Sequence, residues 1–257
     1  MEYKNLTEKE KIPVLGLGTW NMFNPEIVSY ALEKGITHID TAEFYRTEKI
    51  VAEGIKDFDR GKLFITTKVS PHHLGSDQIL SAAARSLKEL KTDYIDLYLI
   101  HWPNPLANMK NAMKTFDKLI DEGLIRYVGV SNFSPKQFAE AQSYTKNKIV
   151  CNQVHYNLLH RNPERELLDF CVKNSIILTA YTPLASGQLR EGNYKVLDEI
   201  AEKHSKTSIQ VALRWLIQQP QVITIPKASS KEHLDEILGC LGWNLDKEDI
   251  KNLDANF

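Results

Sequence analysis

Short runs of apolar and β-branched residues alternate along the chain with longer stretches in which apolar residues recur at helical spacing. Runs of the first kind predict strands, and stretches of the second kind predict helices. The predicted strands cover residues 14–18, 36–40, 63–68, 95–101, 127–131, 150–153, 176–181 and 222–225. The predicted helices cover residues 25–34, 48–57, 76–91, 108–122, 135–145, 163–174, 207–219 and 231–239. Every predicted strand is therefore followed by a helix.

This alternation predicts the architecture. Eight strand–helix units in 257 residues match the size and repeat of a (β/α)8 TIM barrel, an α/β fold. No stretch rich in Pro, Gly and Ser divides the chain, so we expect a single barrel domain over residues 1–257. The alternative is a doubly wound sheet, whose dinucleotide-binding turn reads G-x-G-x-x-G. Residues 16–21 read GLGTWN without the third glycine, and the next helix begins only near Pro25, which argues against that alternative.

Composition narrows the functional classes. Hydrophobic residues make up 42% of the chain and charged residues 25%, as in soluble globular proteins. Lysine and arginine nearly balance aspartate and glutamate at a net charge of −1, so we expect neither a nucleic-acid partner nor a membrane partner. The polar start MEYKNLTEKEK lacks the apolar centre of a signal peptide, and we expect a cytoplasmic protein. We also expect a monomer. The isolated cysteines Cys151, Cys171 and Cys240 predict neither a disulfide framework nor a zinc site.

Titratable residues stand at the ends of successive predicted strands. Asp40 ends the second strand, Lys68 the third and His101 the fourth, while Tyr45 follows five residues after Asp40. Each residue alone has an ordinary structural explanation, such as a helix cap, a paired charge or a packed ring. The carboxyl ends of all barrel strands meet at one mouth, however, so we expect these four side chains to be neighbours.

Such a group of side chains is suited to proton transfer to an oxygen atom. Tyrosine has an ordinary pKa of about 10, and we expect the Lys68 ammonium to lower the pKa of Tyr45. Asp40 would hold Lys68 charged and in place, and His101 could donate a hydrogen bond to the same substrate oxygen. No amino-acid side chain donates hydride, so reduction of a carbonyl would require a nicotinamide cofactor.

Ordered motifs along nearly the whole chain carry a family resemblance. They are GLGTW (16–20), IDTAEFY (39–45), ITTKV (65–69), LYLIHWP (97–103), IRYVGVSNFS (125–134), CNQVHYN (151–157), TAYTPLASG (179–187) and TIPKAS (224–229). With these motifs the chain resembles the aldo-keto reductases, which are NAD(P)H-dependent carbonyl reductases on a (β/α)8 barrel. The resemblance implies that Asp40, Tyr45, Lys68 and His101 form the catalytic tetrad, with Tyr45 as the general acid in reduction.

The resemblance also implies a cofactor site. Its residues would be Gly18, Thr19, Asp40, Ser131, Asn132, Gln153, Tyr181, Leu184, Ser186, Lys227, Ala228, Ser229, His233 and Glu236. Ser131, Asn132 and Gln153 would bind the nicotinamide carboxamide, and Tyr181 would stack on its ring. Leu184 and Ser186 match the loop over the pyrophosphate, and Glu236 would accept a hydrogen bond from adenine.

The adenosine end departs from the family pattern. Lys227 matches the lysine that binds the phosphate of the adenosine ribose, which favours NADPH over NADH. Ala228 stands where a serine is common, and His233 where an arginine is common. Because a histidine can lose its charge near neutral pH, we expect NADPH with NADH as a possible substitute, and a preference that is weak and depends on pH.

The resemblance places Trp20, Phe44, His101 and Trp102 in the substrate pocket, and Phe23 is close enough in sequence to join them. Only a short loop follows His101, and the sequence ends at Phe257, so we expect an open site with broad aldehyde specificity. The partner would be a small carbonyl compound.

Two other functions remain to be weighed. Some relatives of this fold, such as potassium-channel beta subunits, are nicotinamide-binding regulatory proteins with little turnover, and an intact tetrad does not exclude that role. A metal-dependent barrel enzyme is disfavoured, because the histidine pairs at 72–73 and at 155 and 160 lack H-x-x-x-H spacing and nearby strand-end carboxylates. We expect no metal.

Overall fold

The computed structural model describes residues 1–257. Its strands are β1 (Tyr3–Asn5), β2 (Lys11–Pro13), β3 (Leu17–Gly18), β4 (His38–Asp40), β5 (Phe64–Val69), β6 (Ile95–Ile100), β7 (Ile125–Ser131), β8 (Ile149–His155), β9 (Ile177–Tyr181) and β10 (Val222–Thr224). Its α-helices are α1 (Pro25–Glu33), α2 (Glu48–Ile55), α3 (Ser76–Leu90), α4 (Met109–Asp121), α5 (Pro135–Ser143), α6 (Leu167–Lys173), α7 (Gln188–Glu191), α8 (Lys195–Lys203), α9 (Ser208–Gln218), α10 (Lys231–Leu238) and α11 (Lys247–Asn256). Short 3-10 segments cover Glu43–Tyr45, Arg60–Lys62, Asn162–Arg165 and Ala185–Gly187.

Strands β3 to β10 form one parallel sheet in which each strand pairs with the next along the chain. The sheet closes on itself where Leu15 bridges Thr224 in parallel orientation. Two hydrogen bonds of 2.9 Å complete this seam, from the Gly16 amide to the Thr224 carbonyl and from the Thr224 amide to the Val14 carbonyl. The predicted (β/α)8 barrel is confirmed.

A glycine is required at the seam of the barrel. The Gly18 amide donates to the Pro226 carbonyl at 3.0 Å, and a Cβ atom at residue 18 would lie 2.6 Å from the Ile225 carbonyl oxygen. Any side chain there would force the first and last barrel strands apart. The same close approach places residues 225–227 beside the loop that follows β3.

Local capping explains why several predicted helices begin where they do. Asn24 caps α1 and Ser134 caps α5, each through a side-chain oxygen that accepts a backbone N–H, and each is followed directly by a proline. The predicted helix over residues 163–174 is divided in the structure. Its first turn is the 3-10 segment Asn162–Arg165, and α6 begins only at Leu167, because Glu166 departs from helical geometry.

The floor of the barrel is covered by a hairpin that the sequence pattern did not predict. Strands β1 and β2 pair antiparallel. Leu6 and Ile12 are fully buried and join a cluster of side chains inside the barrel. The other members of that cluster are Phe64, Leu97, Leu99, Val150, Cys151, Ile177 and Ile223. The hairpin therefore removes the lower opening of the barrel from solvent.

A second and larger core fills the layer between the strands and the surrounding helices. Helices α7, α8 and α11 are not among the eight predicted helices and were missed. Helices α7 and α8 fall within the long connection between β9 and α9, and α11 follows the last unit. None of the helices has both the length and the apolar character needed to cross a membrane.

The buried hairpin leads to a prediction about stability. Leu6→Ala should lower the free energy of unfolding by about 3 kcal/mol, because it removes a fully buried side chain and leaves a cavity at the barrel floor. Chemical denaturation measures this value. Tyr3→Ala is the matched control, since Tyr3 lies on the same hairpin and is 52% exposed. Equal stability losses in the two variants would contradict the assigned role of Leu6.

Candidate active site

The four candidate catalytic residues lie at the carboxyl ends of three neighbouring strands. Asp40 is the last residue of β4, and Lys68 is the penultimate residue of β5. His101 directly follows β6, and its amide donates to the Val69 carbonyl at 3.0 Å. Tyr45 ends the 3-10 turn that follows β4. The parallel register of these strands brings the four residues together, as the sequence predicted.

Lys68 and Asp40 form a buried ion pair. Lys68 is 0% exposed and Asp40 is 1% exposed, and the Lys68 ammonium donates to Asp40 Oδ1 at 2.6 Å. The ammonium also donates to the Thr41 carbonyl at 2.7 Å, while Gln153 Nε2 donates to Asp40 Oδ2 at 2.7 Å. Both carboxylate oxygens therefore have partners, as a buried ion pair requires.

The charges of this pair depend on one another. Burial raises the pKa of Asp40, whereas Lys68 and Gln153 lower it, and the net shift is upward. Burial also opposes the charge of Lys68, but the Asp40 carboxylate and Tyr45 raise the pKa of Lys68 above its ordinary value. Lys68 therefore remains an ammonium at neutral pH.

Tyr45 lies against this ion pair within a cluster of rings. The Lys68 ammonium is 4.9 Å from the centroid of the Tyr45 ring. The rings of Trp20 and His101 contact the Tyr45 ring edge to face, with centroids 4.8 and 5.4 Å from its own. Burial raises the pKa of Tyr45, Lys68 lowers it, and the net shift is upward. The expectation that Lys68 brings this pKa below its ordinary value is wrong, because the lost hydration of a phenolate outweighs the attraction of the ammonium.

His101 is a neutral imidazole at this site. Burial and the nearby Lys68 charge lower the pKa of His101 to about 3. It can therefore form a hydrogen bond with a ligand at neutral pH without carrying a positive charge.

A second polar group lies at the ends of β7, β8 and β9. Tyr181 donates its hydroxyl to Asn132 Oδ1 at 2.9 Å, and Asn132 Nδ2 donates to Ser131 Oγ at 2.9 Å. The Ser131 hydroxyl donates to the Gln153 carbonyl at 2.8 Å. Asn132 has a φ of 64°, a left-handed conformation that asparagine tolerates. Gln153 connects this group to Asp40, so the two polar groups form one continuous network.

Both groups border a single cavity of about 850 Å³ at the carboxyl ends of the strands. The predicted site residues that line it are Gly18, Thr19, Trp20, Asp40, Phe44, Tyr45, His101, Trp102, Ser131, Asn132, Gln153, Tyr181, Leu184, Ser186, Lys227, Ser229 and His233. Lys68 is buried behind Asp40 and Tyr45. The side chain of Ala228 is buried and does not line the cavity.

The end of the cavity at β10 and α10 carries positive charge. Lys227 is exposed there, and Ser229 Oγ lies 3.1 Å from His233 Nδ1. Arg190 of α7 also lines the cavity and pairs with Glu236 of α10 at 2.6 Å. Glu236 is one helical turn from His233 but does not itself line the cavity.

The opposite end of the cavity is aromatic. Trp20 and Phe44 stack with centroids 5.9 Å apart and planes 7° apart, and both are largely exposed. Trp102 is 48% exposed at the same mouth. Phe23, expected to join them, does not line the cavity; it lies just before α1 and is 84% exposed to solvent.

Sequence reasoning missed several lining residues. They are Asn21, Thr182, Pro183, Gly187, Arg190, Ile209, Ile225 and Pro226. Most of them flank predicted residues on strand-end loops, so their position in the barrel was a usable signal. Arg190 had no such signal, because it lies on the short helix α7 that the hydrophobic pattern did not show.

Comparison with known proteins agrees with this geometry. The model of the aldo/keto reductase family matches residues 14–256. The glyoxal reductase of Bacillus subtilis is 38% identical over 251 residues, which span 95% of this chain and 89% of that protein. The crystal structure of the thermostable aldo-keto reductase Tm1743, in complex with the inhibitor epalrestat, is 44% identical. It superposes with a TM-score of 0.96 and covers 100% of both chains.

A third relative carries a bound cofactor. The aldo/keto reductase from Klebsiella pneumoniae, solved in complex with NADP and acetate, is 34% identical and has a TM-score of 0.89. The match covers 96% of this chain and 92% of that chain. This chain therefore belongs to the aldo/keto reductase family, whose members are NAD(P)H-dependent oxidoreductases that reduce carbonyl compounds.

Proposed function

We propose that this protein reduces small, uncharged aldehydes and reactive ketones to alcohols with NADPH, and that Tyr45 supplies the proton. The observation that carries this proposal is the position of Tyr45 on the cavity wall, next to both the buried Lys68 ammonium and the neutral imidazole of His101. The reaction is reversible in principle, with Tyr45 accepting the proton in oxidation.

The residues of the cavity fit a phosphorylated nicotinamide dinucleotide. Ser131, Asn132 and Gln153 offer the hydroxyl and amide groups that a carboxamide requires, and Tyr181 offers a ring face. Lys227 and Arg190 offer cations at the other end of the same cavity. Arg190 lines the cavity whereas its partner Glu236 does not, so Arg190 is the member of that pair that an anionic ligand would meet.

The chemistry divides between the cofactor and the chain. A bound nicotinamide supplies the hydride. Tyr45, protonated at neutral pH because its pKa is raised, donates its proton to the carbonyl oxygen through its hydroxyl. Lys68 stabilises the resulting phenolate, and Asp40 holds Lys68 in position. His101 orients the carbonyl by a hydrogen bond from its neutral imidazole.

The mouth of the cavity favours uncharged substrates. Trp20, Phe44 and Trp102 provide apolar ring faces there, and no lysine or arginine lines the cavity beside them. A substrate carboxylate would lose its hydration at this mouth without gaining a cation. This argues for glyoxals and aromatic aldehydes over keto acids. The wide exposure of the three rings supports broad rather than narrow selectivity.

Replacement of Tyr45 tests the reaction. Tyr45→Phe keeps the ring contacts with Trp20 and His101 but removes the proton donor. Turnover of methylglyoxal, followed by NADPH oxidation, should fall by at least about 10²-fold, while NADPH affinity changes little. The wild type should also be assayed with an aromatic aldehyde, an aldose and a keto acid. We expect the keto acid to be the poorest substrate.

Tyr144→Phe is the matched control, since Tyr144 lies at the end of α5, outside the cavity, and should retain full activity. Undiminished turnover in Tyr45→Phe would overturn the assigned proton donor. An enzyme that turns over steroids but no aldehyde would overturn the substrate class. Binding of NADPH without turnover of any compound would favour the nicotinamide-binding regulatory role instead.

The shifted pKa values predict the pH dependence of reduction. The pKa of His101 is lowered to about 3, so this residue becomes protonated only in strong acid. The pKa of Tyr45 is raised, so the proton donor is lost only in strong base. At saturating NADPH and methylglyoxal, kcat for reduction should therefore stay within about twofold between about pH 5.5 and pH 8.5. A fall in kcat centred near neutral pH would contradict these assignments.

The charges at the adenosine end predict the cofactor preference. Lys227→Met should reduce the ratio of NADPH affinity to NADH affinity by about tenfold, because it removes a charge-assisted contact with the additional phosphate. Lys231→Met is the control, since Lys231 lies nearby on α10 but does not line the cavity. Titration by fluorescence gives both affinities, and an equal effect of the two substitutions would show that Lys227 makes no specific contact.

The same titration with His233→Gln examines His233. Glutamine keeps a polar side chain without an ionisable ring, so we expect a weaker preference for NADPH than in the wild type. An unchanged preference would contradict a contribution from His233 and would point to Lys227 and Arg190, which line the same end of the cavity.

A further inference from the structure

Three rings form a stacked column beside the cavity. The imidazoles of His155 and His160 have centroids 4.1 Å apart and planes 9° apart. The His155 imidazole is also parallel to the Tyr181 ring, with centroids 5.6 Å apart and planes 9° apart. Tyr181 lines the cavity, whereas neither histidine does. The two imidazoles therefore lie behind Tyr181, and its other ring face borders the cavity.

The backbone explains why these rings meet. His155 is the last residue of β8 and is paired in register with Tyr181, the last residue of β9, so their side chains lie side by side. The chain then reverses at residues 157–160, where the Asn157 and His160 backbones exchange hydrogen bonds of 3.3 and 3.0 Å. This turn returns His160 onto the outer face of His155.

The hydrogen bonds around Asn157 define the protonation of His155. Asn157 Oδ1 accepts from the Leu159 amide at 2.9 Å, and Asn157 Nδ2 donates to the Thr182 carbonyl at 2.8 Å, which fixes the orientation of the amide. The same Nδ2 lies 3.1 Å from His155 Nε2. Nε2 must therefore be the acceptor, and His155 is neutral with its proton on Nδ1.

We propose that His155, supported by His160, is a positioning residue for the nicotinamide site. The column holds the Tyr181 ring in place, so that its free face is pre-organised before a ligand arrives. The ring is then constrained on two sides, by the stack and by the hydrogen bond from its hydroxyl to Asn132. This inference rests on the proposed function, because it assumes that Tyr181 contacts the nicotinamide ring.

The support that His155 gives to the Tyr181 ring depends on the protonation state of His155. The titratable groups that face His155 are the His160 imidazole from the turn and the Tyr181 phenol from β9, and neither carries a negative charge at neutral pH. Burial and His160 accordingly lower the pKa of His155. A proton on Nε2 would face the Asn157 amide hydrogens and would remove the only acceptor that holds the His155 ring.

Two substitutions at residue 155 test the positioning role. His155→Leu removes the flat ring, and NADP⁺ binding measured by calorimetry at about pH 8 should weaken about two- to tenfold, the usual value of one aromatic pair. His155→Phe keeps a flat ring and should bind NADP⁺ within about twofold of the wild type. His72→Leu, an exposed histidine on another loop, is the control for the loss of an imidazole and should bind as the wild type does.

Binding by His155→Leu equal to that of the wild type would overturn the inference alone. Equal weakening in the Leu and Phe variants would also overturn it, because the contact with Asn157 rather than the stack would then be responsible. Absence of NADP⁺ binding by the wild type would overturn the proposed function and this inference together.

Measurement of NADP⁺ binding at several pH values provides an independent test. Only the wild type can gain a proton at residue 155, and the pKa of His155 is lowered, so the ratio of its Kd to the Kd of His155→Phe should be constant between about pH 8 and about pH 7 and should rise only in more acidic solution. Protonation of the cofactor phosphate affects both proteins and cancels in this ratio. A rise in this ratio between about pH 8 and about pH 7 would overturn the neutral state assigned to His155.

Discussion

The arrangement of the site depends on one buried charge, the ammonium of Lys68. Burial of a lone ammonium in the upper part of a barrel would be prohibitive, so Lys68 requires Asp40 from β4 and the Thr41 carbonyl as partners. Asp40 in turn requires Gln153 from β8 for its second oxygen. Strands that are not neighbours in the sheet are thereby joined through side chains. The strand register that satisfies these charges is the same register that brings Tyr45 against Lys68.

Gln153 extends this dependence along the cavity. Its side chain completes the shell of Asp40, and its backbone carbonyl accepts from Ser131, which is linked through Asn132 to Tyr181. In the proposed reaction the proton donor and the carboxamide site are therefore held by one hydrogen-bonded network. Since every buried member of such a network needs its partner, a displacement at one end alters the geometry at the other.

The sequence was informative where a titratable residue stood at a position that a buried strand would normally fill with an apolar residue. Lys68 within an apolar strand and His101 at the end of another were conspicuous, and the rhythm of strands and helices was strong enough to predict the barrel. The floor hairpin was hidden because its strands have three residues each and its buried aliphatic side chains, Leu6 and Ile12, lie among charges. Helix α7 and its Arg190 were hidden because Gly187 and Gly192 interrupt the helical pattern around four residues.

The direction of the Tyr45 pKa could not be obtained from the sequence, because it is the difference between two large opposing effects. The sequence identifies the cation, Lys68, but not how deeply Tyr45 is buried. Burial has the larger effect on the pKa of Tyr45. The same burial, together with Lys68, keeps His101 neutral. The carbonyl oxygen would thus meet two uncharged hydrogen-bonding groups, with the compensating charge of Lys68 held behind Tyr45. Such a site favours proton donation to a developing alkoxide at neutral pH, which is the direction that carbonyl reduction requires.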